Sequence, residues 1–210
     1  MNVDPPLPRE ALHDGPPVTP RQSASVILLR DGSDELELLL LKRSPAQRFM
    51  GGIWVFPGGA VDAHEGEGDE ANRAAAVREL REESGVDGID PAQLVKFSRW
   101  ITPEHIRMRF DTHFFLAVAP PGVEARCDGV ETVDLRWMSP RAALEAYRDG
   151  EIELVFPTIK HLEALEVFSG VDELLEHARG LDVRPVLPRV LLSGGDARVV
   201  LPGESGYDDA

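Results

Sequence analysis

The chain of 210 residues contains 37 acidic and 22 basic residues, so its formal net charge is −15 at pH 7. Hydrophobic residues make up 42% and charged residues 28% of the chain, a composition typical of a globular protein with its own core. The negative charge argues against a nucleic-acid partner held through its backbone, because such binding needs clustered lysine and arginine.

The cysteine count and the hydropathy bear on the compartment. Cys127 is the only cysteine, which excludes an intrachain disulfide and fits a reducing cytosol. No run of 18 or more apolar residues is present, and residues 1–20 lack the apolar centre of a signal peptide. We therefore expect a cytoplasmic protein with no membrane partner.

The first predicted elements are an extended arm and a β-hairpin. Residues 1–21 contain six prolines and predict an N-terminal arm. Apolar and β-branched runs at residues 23–29 and 36–42 flank the turn signal at residues 31–32, which predicts two paired strands. A basic, glycine-ended loop at residues 43–52 then leads to a short strand that Pro57, Gly58 and Gly59 end.

The helix predicted next carries three carboxylates. Glu79, Glu82 and Glu83 are spaced i, i+3, i+4, which places them within about 100° of one helical face. Like charges on one face repel one another, so this spacing predicts a bound cation. Mg²⁺ or Mn²⁺ is the natural candidate, because hard divalent cations take oxygen ligands.

The same helix has predicted ends and a predicted buried face. Asp69 or Asn72 is expected to cap its beginning, and Gly85 to end it in the left-handed conformation. The face opposite the carboxylates is apolar and is expected to pack on a sheet through Ala74, Val77 and Leu80.

The rest of the chain alternates strands and helices. Strands are predicted at residues 94–101, 107–118 and 131–138, helices at 140–148, 157–168 and 171–179, and short strands at 183–186 and 197–201. Ser139 and Pro140 form a good N-cap and N1 pair for the first of these helices. The pattern predicts an α/β (α+β) protein without internal repeats.

The helix motif resembles the second half of the Nudix box, whose pattern is G-x5-E-x7-R-E-U-x-E-E-x-G-U with U apolar. The matching residues are Glu70, Arg78, Glu79, Leu80, Glu82, Glu83, Gly85 and Val86. Measured forward from Gly59, however, the first glutamate would be Glu65, because the loop here is five residues longer than usual. We favour Glu70, since helical geometry sets its distance from Arg78.

Residues 39–59 extend the resemblance to the coenzyme A diphosphatases of the Nudix superfamily. That signature reads L-L-T-x-R-[S/A]-x3-R-x3-G-x3-F-P-G-G, and only its threonine differs, being Leu41 here. The longer box loop, together with W-V-F-P-G-G and R-F-D-T-x-F-F, resembles the branch of this group that contains the mammalian peroxisomal coenzyme A diphosphatase. The resemblance implies an α/β/α sandwich with a mixed sheet. The chain would then consist of an arm at 1–21, a Nudix core at 22–150 and a C-terminal extension at 151–210. This extension would contain helices and short strands and pack on the core.

The resemblance also implies roles for the box residues. Glu82 and Glu83 would be the main metal ligands and Glu79 the third, while Arg78 would orient the cluster through an ion pair with a box glutamate. Gly59 would let the backbone bend and leave a carbonyl for the metal. A solvated acidic helix face is the alternative, and the matching register of Arg78 and Gly59 argues against it.

Other residues have implied roles outside the box. A general base would come from the box or from a later loop, with Glu131 as first candidate and Glu104 as second; each is otherwise an exposed loop carboxylate. Arg43 and Arg48 would bind the phosphates of coenzyme A, unless they are simply solvated. Arg109 and Asp111 would either pair with each other or face the substrate. The complete set of substrate-binding candidates is Arg43, Arg48, Gly52, Phe56, Gly58 and Arg109.

The expected activity is hydrolysis of a nucleoside diphosphate derivative, with coenzyme A or acyl-coenzyme A split into 3',5'-ADP and (acyl-)phosphopantetheine. ADP-ribose or a dinucleotide is the alternative substrate, and a non-catalytic Nudix-fold binding module is the alternative class. Because family members are often dimers, the resemblance also allows a homodimer.

Overall fold

The computed structural model describes residues 15–33, 35–47, 50–193 and 196–208, with the side chains of 192–197 left aside. Its strands are β1 (Arg21–Asp31), β2 (Leu36–Arg43), β3 (Trp54–Val55), β4 (Gly58–Ala60), β5 (Val95–Ile101), β6 (Phe110–Val118), β7 (Thr132–Met138), β8 (Pro185–Val186), β9 (Arg189–Ser193) and β10 (Asp196–Val200). Its α-helices are α1 (Asp69–Ser84), α2 (Pro140–Arg148), α3 (Phe156–Leu165) and α4 (Val171–Arg179).

A mixed sheet organises the described part of the chain. Its strand order is β3-β2-β1-β6-β5-β8, with β4 also paired to β1 and β7 also paired to β2. Strands β1 and β6 are parallel over their length, whereas β1–β2, β1–β4, β2–β7 and β5–β6 are antiparallel. β1 and β2 therefore pair only at residues 29–31 and 36–38. Beyond these residues β2 pairs with β7, and the first part of β1 pairs with β4.

The alternation of side chains along β1 builds two hydrophobic cores, one on each face of the sheet. Ala24, Val26 and Leu28 belong to the core that contains α1, whereas Ile27 and Leu29 belong to the core that contains α2, α3 and α4. Every one of these five side chains is fully buried. Helices thus cover both faces, and the expected α/β/α sandwich is confirmed.

Most predicted elements are present, and two details of α1 differ. Its N-cap is Gly68 without a side-chain cap, and Asp69 is already the first helical residue, so neither Asp69 nor Asn72 caps it. The prediction that Gly85 ends the helix is confirmed, with φ of 66°. The buried side chains of α1 are Ala71, Asn72, Ala75, Ala76, Leu80, Glu83 and Ser84. Of the expected apolar face, Leu80 and the partly buried Val77 pack in the core beside α1, whereas Ala74 is not among the buried residues of the helix.

The remaining sequence predictions concern the chain ends. Most of the predicted arm lies outside the described residues, which begin at residue 15. The division of the chain at residues 21 and 150 stays a prediction. Side chains of α3 and α4 share one core with β1 and β2, and β8 pairs with β5. Within the described ranges, no helix has the length and apolar character needed to cross a lipid bilayer.

The attachment of α4 to the sheet offers a test of this packing. The side chain of Asp31, at the end of β1, accepts a hydrogen bond from the Val171 amide at 3.0 Å and so caps a helix whose own N-cap, Gly170, has no side chain. We expect Asp31→Ala to lower the free energy of unfolding by about 1 kcal/mol, and Asp31→Asn to keep it within about 0.3 kcal/mol, because Asn caps equally well.

Urea denaturation measures both changes. Asp87→Ala is the matched control, since the Asp87 carboxylate accepts a hydrogen bond from its neighbour Gly88 and lies at the surface. A loss of stability as large in Asp87→Ala as in Asp31→Ala would contradict the capping role.

Candidate active site

Two glycines bring strand β4 against β1 and against helix α1. A Cβ on Gly58 would lie 2.6 Å from the Ala24 carbonyl oxygen and 2.7 Å from Ser25 Cα, both backbone atoms. A Cβ on Gly59 would clash with the side-chain carboxylate of Glu79. Only glycine allows the approach at Gly58, and a larger residue at Gly59 would displace the Glu79 carboxylate, so this pair sets how closely β4 approaches the sheet and the helix.

Arg78 is the hub of the carboxylate cluster. It donates five hydrogen bonds, to Glu65 Oε1 at 3.0 Å and Oε2 at 3.2 Å, to Glu79 Oε1 at 2.7 Å, to Glu82 Oε2 at 3.0 Å and to the Ala60 carbonyl at 3.0 Å. All the donors of a guanidinium are then used. Arg78 therefore joins the loop after β4 to the acidic face of α1.

Glu83 differs from the other carboxylates because it is buried. The residue is 3% exposed, its Oε2 accepts a hydrogen bond from the Gly58 amide at 2.9 Å, and its Oε1 lies 3.9 Å from an Arg43 amino group. Burial raises the pKa of Glu83 to about 8, with the nearby Glu79 and Glu131 charges adding to the rise and the Gly58 amide and Arg43 opposing it.

Glu79 and Glu82 form a graded series with Glu83. The Glu79 side chain is 15% exposed and the Glu82 side chain 53% exposed. Burial raises the pKa of Glu79, which Arg78 opposes and the charges of Glu82 and Glu131 increase. The three carboxylates of the expected face thus become more exposed from Glu83 beside the sheet, through Glu79, to Glu82 in solvent. The charge of Glu131 acts on Glu79 and Glu83.

Glu131 comes to the helix on the segment that precedes β7. The Arg126 amide donates to the Ser84 carbonyl at 2.7 Å, and the Thr132 hydroxyl donates to the Glu83 carbonyl at 2.8 Å. These contacts occupy carbonyls in the last turn of α1, which have no partner within the helix. Glu131 lies between them and is exposed.

The predicted substrate residues do not all gather here. Arg43 contacts Glu83, and Gly52 lies beside Arg43 because its amide donates to the Arg43 carbonyl at 3.0 Å. Gly58 holds Glu83 through its amide. Phe56 is 4% exposed and packs in the core edge-to-face with His161, so the prediction of a substrate contact is not supported by its position.

Three further candidates lie elsewhere or outside the described residues. Arg109 is buried and donates to the carbonyls of Thr102 at 3.0 Å and Val18 at 2.7 Å, so it anchors backbone rather than facing a substrate. Glu104 lines a cleft of about 190 Å³ with residues 187–190, away from α1. Arg48 is outside the residues that the structure describes.

Asp111 does not pair with Arg109. Its carboxylate accepts hydrogen bonds from Arg99 at 2.8 and 2.6 Å and from Gln22 at 3.1 Å. Burial raises the pKa of Asp111, but these bonds and the Arg99 charge hold it below its usual range. The pairing of Asp111 with Arg109 is therefore wrong, because the register of β5 against β6 places Arg99 diagonally across from Asp111, whereas a substrate contact stays a prediction.

The long loop before α1 decides which glutamate meets Arg78. Glu65 makes two hydrogen bonds to Arg78, its side chain is 6% exposed, and it also accepts the Asp62 amide at 2.7 Å. Glu70 is exposed in the first turn of α1. The preference for Glu70 disagrees with these contacts, because a turn at residues 62–65 brings Glu65 to Arg78.

The donor set fits a hard divalent cation in its chemistry. Glu79, Glu82 and Glu83 offer only carboxylate oxygens, and buried Glu83 has no cation nearer than the Arg43 group at 3.9 Å among the described residues. In the described part of the chain, no three acidic, histidine or cysteine side chains already stand in a metal-holding geometry. Arg78 holds the carboxylates of Glu79 and Glu82 through one nitrogen, and the Gly58 amide holds that of Glu83.

Two residues of the site have no counterpart among the sequence candidates. Thr132 is fully buried and bonded to the helix end, and Asp128 accepts hydrogen bonds from the amides of Val130, Glu131 and Thr132. The signal was present as an Asp-Gly pair just before a strand, which is typical of a side-chain-capped turn.

The sequence and the fold of this chain are similar to those of known proteins. A family model described as "NUDIX domain" matches residues 19–157. Human acyl-coenzyme A diphosphatase NUDT19 is 26% identical over 83% of this chain and 73% of that protein, and Escherichia coli CTP pyrophosphohydrolase is 32% identical over 58% and 77%. The crystal structure of a NUDIX hydrolase from Alicyclobacillus acidocaldarius is 26% identical, with a TM-score of 0.67, over 75% of this chain and 96% of that one.

The contacts of Arg78 predict unequal effects at the two loop glutamates. Glu65→Gln removes the charge from a nearly buried pair, so we expect it to lower the free energy of unfolding by about 1–2 kcal/mol. Glu70→Gln is the matched control and should cost less than about 0.5 kcal/mol, because it loses only a favourable charge near a helix N-terminus. Chemical denaturation measures both, and equal losses would contradict the assignment of Glu65 to Arg78.

Proposed function

Because this chain belongs to the NUDIX family, as its helix motif indicated, we propose that it is a diphosphatase whose substrate is coenzyme A or acyl-coenzyme A. Family membership makes the protein a Nudix hydrolase, and Nudix hydrolases generally use divalent metal ions to cleave nucleoside diphosphate derivatives. The products here would be 3',5'-ADP and phosphopantetheine or its acylated form.

The span of the similarity supports this substrate class. The human relative named acyl-coenzyme A diphosphatase aligns with 83% of the chain, and the relative named for CTP with 58%. The signature at residues 39–59, which resembles coenzyme A diphosphatases, includes Arg43 and Gly52. Both residues lie in the part of the fold that meets buried Glu83.

The observation that carries the proposal is the position of Arg43. Its amino group lies 3.9 Å from Glu83, and its buried Nε has no hydrogen-bond partner in the described structure. An unpaired buried N–H is costly, and a guanidinium pairs well with phosphate oxygens. Arg43 would therefore bind a phosphate of the substrate beside the carboxylates.

The site offers residues for the metal and for the proton. Glu79, Glu82 and Glu83, with the Gly59 carbonyl, would hold Mg²⁺ or Mn²⁺, which supplies charge neutralisation of the diphosphate and makes a water molecule more acidic. Glu131 would accept the proton from that water. The water oxygen bonds to one phosphorus as the anhydride oxygen leaves with the other, which splits the diphosphate into two monophosphates.

Arg78 and Glu65 would support this chemistry without touching the substrate. Glu65 takes the place of the first box glutamate, because it pairs with Arg78 and so orients Glu79 and Glu82. A cytoplasmic location, a homodimer and the boundaries of the arm and the C-terminal extension stay predictions from the sequence.

A substrate panel tests the proposal. The protein is incubated with Mg²⁺ and, separately, with coenzyme A, acetyl-coenzyme A, ADP-ribose, NADH, diadenosine tetraphosphate and CTP, and products are resolved by chromatography. We expect 3',5'-ADP from the two coenzyme A substrates. Turnover of ADP-ribose, a dinucleotide or CTP without turnover of coenzyme A would overturn the substrate assignment. Binding without any turnover would favour a binding module.

Replacement of Glu82 tests the ligand assignment. Glu82→Gln removes one negative charge from an exposed side chain, so we expect the unfolding free energy to change by less than about 0.5 kcal/mol. We expect kcat to fall by at least about 100-fold, because the carboxylate would hold the metal, and Mn²⁺ binding measured by electron paramagnetic resonance should weaken. Glu163→Gln, on α3, is the control. Near-normal kcat and Mn²⁺ affinity in Glu82→Gln would show that Glu82 is not a ligand.

A further inference from the structure

The segment from Arg126 to Thr132 fastens the loop of Glu131 to the end of α1. Arg126 and Thr132 each donate a hydrogen bond to a carbonyl in the last turn, at 2.7 and 2.8 Å. Thr132 is fully buried, and its single hydroxyl proton is shared between the Glu83 carbonyl and the Asp128 carboxylate. Between these two anchors the chain makes a turn whose geometry decides where Glu131 lies.

Asp128 holds that turn together with its carboxylate. Oδ1 accepts from the amides of Val130 at 3.2 Å, Glu131 at 3.1 Å and Thr132 at 2.8 Å, and from the Thr132 hydroxyl at 3.0 Å. Oδ2 accepts from the Glu131 amide at 3.0 Å. One side chain thus binds three consecutive backbone amides, including that of Glu131.

The carbonyl of Glu131 is fixed from the opposite side. The Ser44 amide, next to Arg43 at the end of β2, donates to it at 2.7 Å. The backbone of Glu131 is therefore held between Asp128 and Ser44, although its side chain is exposed. Its carboxylate is close enough for its charge to act on Glu79 and Glu83.

We propose that Asp128 is a positioning residue for hydrolysis, which fixes the backbone of Glu131 so that its carboxylate faces the carboxylate cluster of α1. This inference rests on the proposed role of Glu131 as the base. A base must lie within hydrogen-bond reach of the proton that it takes, and an exposed loop side chain reaches that position reproducibly only if its backbone is rigid. Asp128 acts through Glu131 and does not touch the substrate.

The test compares kinetics in the full chain with Mg²⁺ and coenzyme A. We expect Glu131→Gln to lower kcat by about 10²–10⁴-fold, as loss of a general base does. Asp128→Ala should lower kcat by about 10²-fold with KM within about threefold, because a misplaced base costs about that much. Asp128→Asn keeps Oδ1 as an acceptor and should restore kcat to within about fivefold of the wild type.

A double variant separates positioning from a structural role. In the Glu131→Gln background, Asp128→Ala should lower kcat by less than about twofold, because the group that it positions is already absent. Asp134→Ala is the matched control: Asp134 is exposed on β7, accepts the amide of its neighbour Leu135, lies 3.9 Å from the Arg136 guanidinium and should leave kcat unchanged when replaced. In Asp128→Ala, amide hydrogen exchange at Val130, Glu131 and Thr132 should be faster than in the wild type, while the exchange rates of the amides in α2 should stay the same.

Several results would overturn the inference. One is a normal kcat in Asp128→Ala. Another is a kcat as low in Asp128→Asn as in Asp128→Ala. The third is a kcat in the double variant that falls by the product of the two single-variant factors. Failure of the proposed function has a different signature, since wild-type protein would then leave coenzyme A intact. If ADP-ribose or another panel member is hydrolysed instead, the same variants test Asp128 with that substrate. A wild-type protein that hydrolyses none of them overturns both statements.

Discussion

The guanidinium of Arg78 brings together three carboxylates and one carbonyl that would otherwise not lie side by side. Its hydrogen bonds reach Glu65 in the loop, Glu79 and Glu82 on the helix, and Ala60 at the end of β4. The carboxylates of Glu65 and Glu79 are mostly withdrawn from water, so without Arg78 they would be buried charges without compensation. The acidic face of α1 can therefore exist in the folded protein because a cation belonging to the chain already partly neutralises it.

Glu83 shows the opposite balance. It is the most buried carboxylate of the helix, and one backbone amide and a guanidinium 3.9 Å away are its described partners. Burial outweighs these contacts and raises the pKa of Glu83 to about 8. Carboxyl groups with strongly shifted pKa values concentrate at functional sites, because catalysis and ligand binding require such shifts even though they lower the stability of the fold. A bound divalent cation would relieve this cost. The neighbouring residues Gly58 and Gly59 have no side chain that could do the same.

The position of this site follows from the divergence of the sheet. Strand β1 pairs with β4 while β2 pairs with β7, so the two pairs separate beside the end of α1. Glu83 spans the gap, since its carboxylate contacts Gly58 at the start of β4 and its carbonyl contacts Thr132 at the start of β7. Residues far apart in the chain, from Arg43 to Glu131, thereby reach one helix terminus. The rigid part of the fold, with a core on each face, holds this meeting point in place.

The sequence by itself determined most of the elements, although not β4 or β9, and it determined the family and the identity of the helix carboxylates. Periodicity and turn residues are local, so they predicted the β1–β2 hairpin, helix α2 and the end of α1 at Gly85, and the spacing of Glu79, Glu82 and Glu83 with Arg78 identified the box. The tertiary structure decided which side chains are buried and which charges meet. Only the folded loop brings Glu65, and not Glu70, to Arg78. Only the pairing of β5 with β6 brings Arg99 to Asp111, and only core packing buries Phe56 against His161. These outcomes depend on contacts between residues distant in the chain, which neither spacing nor composition encodes.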